Sequence, residues 1–182
     1  VTFDMAENRM EVHRRHAEPW RVTLVDTGEN TLTGGRLRRV RDYLTPGESF
    51  AFTYGDGVAD IDLTAEFAFH RAHGKLATVA AVQPPGRYGA LQIEGSRVSA
   101  FIEKPRGDGG LINGGFFVLQ PEVLDLVASD QTSWELEPMA TLAAQDQLQA
   151  FAHAGFWQPM DTLREKTLLE ELWQSGQAPW KT

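Results

Sequence analysis

The chain has 182 residues, with 17 Lys and Arg against 25 Asp and Glu, and a formal net charge of −8 at pH 7. This acidic balance argues against a nucleic-acid coat protein and against a protein that binds an anionic membrane surface. There are no cysteines, which excludes a disulfide framework and a thiolate metal site. The length fits one domain, and no apolar run approaches the roughly 20 residues of a membrane span. We expect a cytoplasmic protein whose partners are small molecules.

The first part of the chain predicts two strands and a helix. Residues 1–15 are polar with weak alternation, which indicates a strand followed by a loop. Residues 20–27 alternate apolar and polar side chains and predict a second strand. Residues 28–35 contain three glycines and predict a loop, and residues 36–44 predict a helix.

A short apolar strand over residues 50–54 runs directly into Gly55-Asp56-Gly57. Such a run, bounded by turn residues, is typical of an inner strand of a parallel sheet. The glycines allow a sharp turn and a close approach to a ligand. Asp56 would then lie past the carboxyl end of a strand, where open α/β sheets bind their ligands. The alternative is a turn formed for backbone reasons alone.

Strands and helices alternate along the rest of the chain. We predict strands over residues 77–82, 114–119 and 148–153, a hairpin over residues 90–94 and 97–103, and helices over residues 60–73, 121–128, 133–145 and 162–175. This order predicts a single α/β domain over residues 1–182, with a mainly parallel sheet and an antiparallel hairpin.

Two carboxylates are candidates for a metal site. Asp56 follows a strand, and Asp161 lies just before the capping box that opens the last helix. If both loops open at the same edge of the sheet, the two side chains can share one Mg²⁺, which takes one or two protein carboxylates together with phosphate oxygens and waters. For Asp161 the alternative is an acid that is favoured by a helix N-terminus.

Basic side chains are concentrated where the first predicted helix begins. Arg36 and Arg39 are three residues apart and share a helix face, where a guanidinium can hold a phosphate through two hydrogen bonds. For Arg38 and Arg41, a solvated helix surface is the simpler interpretation.

Other polar side chains lie at strand ends. Glu103 and Lys104 end the hairpin and could bind sugar hydroxyls and a phosphate, or form an exposed ion pair. Asn113 stands at a glycine-rich strand entrance and could bind a pair of sugar hydroxyls, or shape a turn. His70 and His73 show no zinc spacing and are predicted to lie on a helix surface.

Several segments from end to end of the chain together carry a family resemblance. Gly55-Asp56-Gly57, Glu103-Lys104-Pro105 and Asn113-Gly114-Gly115 resemble motifs of the sugar-nucleotide-forming nucleotidyltransferases. Thr33-Gly34-Gly35-Arg36 and the Phe-Trp-Gln-Pro-Met-Asp-Thr run at residues 156–162 resemble the cytidylyl branch of that family.

The resemblance implies a Rossmann-like three-layer α/β sandwich that transfers a cytidylyl group from CTP to α-D-glucose 1-phosphate. The products would be pyrophosphate and CDP-glucose, which would feed dideoxysugar and surface polysaccharide (O-antigen) biosynthesis. The whole protein would be a homo-oligomer. By resemblance the metal ligands for Mg²⁺ would be Asp56 and Asp161, and the substrate contacts would be Thr31, Arg36, Gly55, Glu103, Lys104, Asn113 and Gly114, with Arg36 also counted as catalytic.

The resemblance also has a gap. Members of this family begin with a strand and a glycine-rich loop that ends in Thr-Arg-Leu, followed by a Lys-Pro pair, and nothing in residues 1–182 matches them. We therefore expect an N-terminally truncated domain with an exposed sheet edge, and no turnover by these residues alone.

Three other functions are compatible with the sequence. The same fold could use UTP or dTTP, because the base-reading loop is not among the matching segments. A metal-dependent glycosyltransferase would place an Asp-x-Asp pair at the strand end, where this chain has Asp56-Gly57-Val58. A non-catalytic remnant that binds sugar nucleotides is the third alternative.

Overall fold

The structure is a computed structural model that describes residues 2–13, 20–85, 90–102 and 110–181. The strands are β1 Thr2–Asp4, β2 Arg9–Glu11, β3 Phe50–Thr53, β4 Gly57–Ala59, β5 Ala77–Val82, β6 Ala90–Glu94, β7 Arg97–Ile102, β8 Ile112–Leu119, β9 Leu148–His153 and β10 Trp157–Pro159. The α-helices are α1 Thr33–Arg39, α2 Leu63–His73, α3 Glu137–Ala144 and α4 Leu163–Gln174, and 3₁₀ helices cover Arg41–Tyr43 and Pro121–Leu126.

The central sheet has four strands in the order β3-β8-β5-β9. The pair β5–β9 is parallel, whereas β8 is antiparallel to both β3 and β5. Three strands therefore run in one direction and β8 runs against them. The α/β class is confirmed, and so is the antiparallel hairpin, which β6 and β7 form.

The core lies along β5 and β8. All six residues of β5 are buried, as expected of a strand covered on both faces. Phe117 and Leu119 of β8 pack with Trp134 and Leu142, each at most 1% exposed. Trp134 is thus a core residue, and this packing fixes the strands whose ends carry the site.

Several boundaries agree with the sequence. The β5 and β9 strands have the predicted limits. Asp62 caps α2, and Gly74 ends that helix in the left-handed conformation. Thr162 and Glu165 form the predicted capping box of α4. These features depend on local chemistry, which is why the sequence alone indicates them.

The predicted strand over residues 20–27 is wrong, because this segment has no regular secondary structure. Its apolar side chains are open to solvent, with Trp20 76%, Val22 70% and Leu24 93% exposed. Alternation supplies the side-chain pattern of a strand but not the neighbour with which a strand must pair. The prediction that residues 50–54 form an inner strand of a parallel sheet is also wrong: within the described residues, β3 lies at the edge and pairs with β8 alone, in the antiparallel direction.

The first helix begins at Thr33, three residues before its predicted start. Both glycines of the helix pack against a neighbouring backbone. A Cβ on Gly34 would lie 2.8 Å from the Thr132 oxygen, and one on Gly35 would lie 2.6 Å from Cα of Asp130. The glycines therefore serve close packing rather than a loop.

The prediction that the two histidines of α2 lie on the helix surface is wrong. His70 is fully buried and His73 is half-buried. Nδ1 of His70 and Nε2 of His73 lie 2.9 and 2.7 Å from the Thr78 hydroxyl. The helix α2 packs against β5 through this polar contact.

Two helices are shorter than expected. The segment after Pro121 forms a 3₁₀ helix, and α3 begins at Glu137 rather than at residue 133. Among the described residues, no helix is long and apolar enough to cross a membrane.

Candidate active site

The reversed direction of β8 brings the candidate residues to one edge of the sheet. The carboxyl ends of β3, β5 and β9 lie at this edge, together with the first residues of β8. Ala81 is opposite Asn113, and Thr53 is opposite Phe116. The Tyr54 N–H donates to the Gly115 carbonyl at 3.2 Å, which continues the β3–β8 pairing past the end of β3.

A two-stranded ribbon brings the two candidate carboxylates together. The β4 and β10 strands pair antiparallel, with Gly57 opposite Pro159. The Met160 N–H donates to the Asp56 carbonyl at 2.7 Å. Asp56 immediately precedes Gly57, and Asp161 immediately follows Met160, so both leave the same end of this ribbon.

The loop before β10 is fixed by a polar contact. The Phe156 N–H donates to Oδ1 of Asp60 at 2.7 Å, and Nε2 of His153 lies 3.0 Å from the same oxygen. These contacts join the ends of β4 and β9, so the position of Asp161 is set by the sheet rather than by a free loop.

The carboxylates line a cavity of about 200 Å³, which we call the Asp161 cavity. Its lining includes Asp56, Asp161, Asn113, Gly114, Tyr54 and Trp157. The Trp157 indole N–H donates to the Gly114 carbonyl at 2.7 Å and holds the ring against the strand entrance. This cavity combines acidic oxygens, an amide and an aromatic wall.

An adjoining concavity of about 530 Å³, which we call the Arg36 cavity, shares Tyr54 and Asp56 with the Asp161 cavity. Arg36 lines it, and its guanidinium donates to Oγ1 of Thr27 at 2.7 Å and to the Glu29 carbonyl at 3.0 Å. Arg36 thus fastens the 27–29 segment to α1 and keeps further N–H groups for a ligand.

The other arginines of this region attach α1 and the 3₁₀ helix that follows it to the segment that precedes α3. Arg39 makes two hydrogen bonds to the Asp130 carboxylate, Arg41 pairs with Asp125, and Arg38 donates to the Ala128 carbonyl at 3.1 Å. Arg38 and Arg41 are both exposed, so they lie on a solvated surface as predicted, and their contacts are made at that surface. Arg36 differs from these arginines because it lines a cavity beside Asp56.

The remaining predicted residues divide into three groups. Gly55 lines the Arg36 cavity, whereas Gly114 lines the Asp161 cavity. Thr31 is 6% exposed and is not brought to either cavity. Glu103 and Lys104 lie outside the described residues.

Sequence reasoning missed the hydrogen-bond network of Tyr54 and Glu135. Oε2 of Glu135 accepts from the hydroxyls of Thr33 at 2.7 Å and Ser133 at 2.8 Å, and its carboxylate also accepts from Tyr54. The Tyr54 hydroxyl accepts from Nδ2 of Asn113 at 3.4 Å. Glu135 stands in an ordinary Trp-Glu-Leu-Glu run, so no sequence signal marks it.

The network changes the acidity of both groups. Burial, reinforced by the hydrogen bond to Glu135, raises the pKa of the Tyr54 hydroxyl above its ordinary value. Desolvation acts to raise the pKa of Glu135, but the hydrogen bonds from Thr33, Ser133 and Tyr54 outweigh it and hold that pKa below its ordinary value. Glu135 is therefore a charged acceptor and Tyr54 a neutral donor at neutral pH.

Within the described ranges, no three His, Cys, Asp or Glu side chains group to hold a metal ion. A site built from protein groups alone is therefore not found there. Two carboxylates at one cavity match a metal that completes its coordination with substrate oxygens and waters.

Comparisons with known proteins identify the family of the chain. A family model described as nucleotidyl transferase matches residues 7–162. The chain is 63% identical over 182 residues to the glucose-1-phosphate cytidylyltransferase of Salmonella typhi, and it covers 71% of that protein. The identity and coverage are the same for the enzyme of Salmonella typhimurium.

A likeness to solved structures supports the fold. A UDP-glucose pyrophosphorylase complexed with UDP-glucose superposes with a TM-score of 0.60 at 13% identity. That match covers 82% of this chain and 64% of the other. The chain belongs to the nucleotidyl transferase family and, within it, to the glucose-1-phosphate cytidylyltransferases.

Proposed function

We propose that the protein carrying this chain transfers the cytidylyl group of CTP to α-D-glucose 1-phosphate, giving CDP-glucose and pyrophosphate. The observation that carries the proposal is the pairing of β4 with β10, which places Asp56 and Asp161 at one cavity beside Asn113. The identity of 63% with the Salmonella typhi enzyme supports the choice of substrates.

The reaction needs no nucleophilic side chain. A phosphate oxygen of glucose 1-phosphate forms a bond to the α-phosphorus of CTP. The bond from that phosphorus to the oxygen bridging the β-phosphate breaks, and the electron pair leaves with pyrophosphate. Catalysis of this kind depends on holding the reactants in line and neutralising the charge on the phosphates.

We propose Mg²⁺ as the cofactor, held by Asp56 and Asp161. The donor set fits, because both groups are carboxylates, the preferred ligands of this ion, and both line one small cavity. When bound, the ion would neutralise phosphate charge. The two side chains would supply its protein oxygens, and the β4–β10 ribbon would keep their spacing constant.

We assign the other predicted residues to the two substrates. Arg36 and Gly55 serve the CTP phosphates, because both line the cavity beside Asp56. Thr31 is buried and lines neither cavity, so it is assigned to the CTP phosphates by resemblance alone. Asn113, with Gly114, serves the sugar phosphate, because both line the Asp161 cavity. Glu103 and Lys104 are assigned to the sugar phosphate by resemblance alone.

Product analysis tests the proposal. The whole protein is incubated with CTP, glucose 1-phosphate and MgCl₂, and the products are separated by chromatography. We expect equal amounts of CDP-glucose and pyrophosphate, and no product when EDTA replaces the metal. Residues 1–182 assayed alone are expected to give no product, because the glycine-rich loop of the family has no match in them. Cytidine monophosphate released in place of a sugar nucleotide would overturn the assignment.

We further propose a cytoplasmic homo-oligomer whose product enters dideoxysugar synthesis for surface polysaccharide. Trp173, a large aromatic residue, is 53% exposed and is a candidate for a subunit contact. Light scattering on the whole protein and on a Trp173→Ala variant measures the oligomeric state. A monomeric mass for both proteins would argue against the homo-oligomer.

A further inference from the structure

The strongest unassigned feature is the hydrogen-bond chain that crosses from one cavity to the other. It runs from Thr33 in the first turn of α1, through Glu135 and Tyr54, to Asn113 at the start of β8. Thr33 and Glu135 line the Arg36 cavity, Asn113 lines the Asp161 cavity, and Tyr54 lines both. The chain therefore spans the two sites assigned to the substrates.

Asn113 is held at both ends of its amide. Its Oδ1 accepts from the Gly115 N–H at 2.8 Å, which fixes which side of the amide is oxygen. Its Nδ2 donates to the Tyr54 hydroxyl at 3.4 Å. One N–H and one lone pair of the oxygen are left for a sugar hydroxyl. The direction of these free groups depends on where the Tyr54 hydroxyl lies.

The Tyr54 ring is positioned by packing as well as by polar contacts. It meets Phe52 edge-on at 5.7 Å between ring centroids and Phe117 at 5.7 Å. Its hydroxyl donates to Glu135, so the phenol accepts only from Asn113 within the described residues. Because the Tyr54 ring is held by packing and its hydroxyl proton is used in the hydrogen bond to Glu135, Tyr54 is suited to orienting a neighbouring side chain and unsuited to transferring a proton.

Glu135 joins the Thr33 end of the hydrogen-bond chain to the Tyr54 end. Its carboxylate accepts from Thr33, Ser133 and Tyr54. Thr33 in turn accepts from the Trp134 N–H at 3.0 Å, which ties the first turn of α1 to the buried Trp134. Three hydroxyl donors on one carboxylate are charge-assisted hydrogen bonds, which are stronger than neutral ones.

We propose that Glu135 and Tyr54 are positioning residues for nucleotidyl transfer. They orient the Asn113 side chain toward glucose 1-phosphate and keep it at a fixed position relative to α1. This inference rests on the proposed function, since it takes Asn113 as a contact of the sugar phosphate. Neither residue touches the reacting atoms. Their effect is to keep the sugar-phosphate subsite at a fixed distance from the nucleotide subsite.

The kinetic test uses Tyr54→Phe and Glu135→Gln in the whole protein. The phenylalanine keeps the ring and removes only the hydroxyl, and the glutamine keeps the shape but has one acceptor oxygen for three donors. We expect the KM for glucose 1-phosphate to rise roughly fivefold in Tyr54→Phe, the effect of losing one neutral hydrogen bond, while the KM for CTP stays the same. In Glu135→Gln we expect the KM for both substrates to rise.

Matched controls separate this effect from general damage. Tyr43→Phe removes the hydroxyl of a tyrosine that is 62% exposed, and Glu137→Gln alters an exposed acid of α3. Both should keep wild-type kinetics. In an Asn113→Ala background, Tyr54→Phe should have no further effect on the KM for glucose 1-phosphate, because it acts through Asn113. Additive effects in this cycle would overturn the proposal.

A second readout does not depend on turnover. The order parameter of the Asn113 side-chain amide, measured by NMR, should fall in Tyr54→Phe and in Glu135→Gln and stay at the wild-type value in the two controls. An unchanged value in Tyr54→Phe would overturn the positioning role even if CDP-glucose is formed. Absence of CDP-glucose from the wild type, with the NMR change present, would overturn the proposed function and keep the positioning role.

Discussion

Gly115 and the Tyr54 ring lie so close together that a residue with a side chain would not fit at position 115. Gly115 has a φ of +77°, and a Cβ built on it would lie 2.7 Å from Cδ2 of Tyr54. A larger residue there would be strained by its backbone and would push the Tyr54 ring. The glycine of the Asn-Gly-Gly motif is therefore explained by the space that the tyrosine occupies.

A pair of glycine substitutions separates the destabilisation caused by backbone strain from that caused by the contact with the Tyr54 ring. Gly47 has a φ of +74° but nothing within 4 Å of its Cβ position. We expect Gly47→Ala to lower the free energy of unfolding by about 1 kcal/mol, the usual cost of the left-handed conformation. Gly115→Ala should lower it by about 1–3 kcal/mol more, because it overpacks the tyrosine. Chemical denaturation measures both, and equal losses would show that the contact with Tyr54 is unimportant.

The two carboxylates of the Asp161 cavity should be needed for metal binding. We expect Asp56→Asn and Asp161→Asn each to lower kcat by roughly a hundredfold or more, comparable with the loss of a preorganised charge contact. Each should also weaken Mn²⁺ binding measured by electron paramagnetic resonance. Asp125→Asn removes a carboxylate that pairs with Arg41 away from this cavity and should change neither quantity. Wild-type Mn²⁺ affinity in both site variants would exclude a shared metal.

Arg36 should affect CTP more than glucose 1-phosphate. Arg36→Lys keeps the positive charge but cannot hold Thr27 and Glu29 in the geometry of a planar guanidinium. We expect the KM for CTP to rise by roughly tenfold, the effect of losing a charge-assisted hydrogen bond. Arg38→Lys, whose arginine contacts the Ala128 carbonyl instead, is the control. If both variants have the same KM for CTP, Arg36 has no special role.

A buried acid in α2 makes stability depend on pH. Glu66 is fully buried, and neither of its carboxylate oxygens has a hydrogen-bond partner among the described residues. Burial raises the pKa of Glu66 to about 7. The nearby His70 behaves oppositely, because burial and the positive charges of His73 and Arg71 lower its pKa to about 4.

The sign of each effect follows from the proton count. The folded state keeps a proton on Glu66 that the unfolded chain loses, so the free energy of unfolding falls as pH rises from about 4.5 to about 7 and is constant above that range. For His70 the unfolded chain binds the extra proton, so the free energy of unfolding falls as pH drops from about 6.5 to about 4.

A difference measurement isolates Glu66 from His70. Glu66→Gln cannot ionise, so it should unfold with a free energy higher than wild type by on the order of 3 kcal/mol at pH 8 and nearly the same at pH 4.5. His70 is present in both proteins and cancels. Glu171→Gln, on an exposed position of α4, is the control variant. A constant difference between wild type and Glu66→Gln across pH 4.5–8 would contradict the raised pKa.

The sequence indicates those parts of the site that depend on local patterns. Asp56 follows an apolar strand and Asp161 precedes a capping box, and both features are visible within ten residues of chain. Their common cavity depends on β4 and β10, two three-residue strands that are too short to show a pattern. The two carboxylates that the sequence pairs do line one cavity, but the ribbon that brings them there is not indicated by the sequence.

The errors arise where a distant segment decides the structure. Residues 20–27 have strand alternation but no pairing partner in the part of the chain that the structure describes. From the sequence His70 is predicted to be a surface histidine, because its hydrogen-bond partner Thr78 lies on a different element, the strand β5. Glu135 accepts a hydrogen bond from Thr33, which lies 102 residues earlier in the chain. No property of these residues in the sequence carries that information.

The most direct test of the central claim is a comparison of kcat/KM for CTP, UTP, dTTP, GTP and ATP. The assay uses the whole protein, glucose 1-phosphate and Mg²⁺, and pyrophosphate release is the readout. A glucose-1-phosphate cytidylyltransferase should use CTP at least about a hundredfold better than the other nucleotides and should form CDP-glucose. Preference for UTP or dTTP, or sugar-nucleotide hydrolysis without pyrophosphate chemistry, would contradict the assignment.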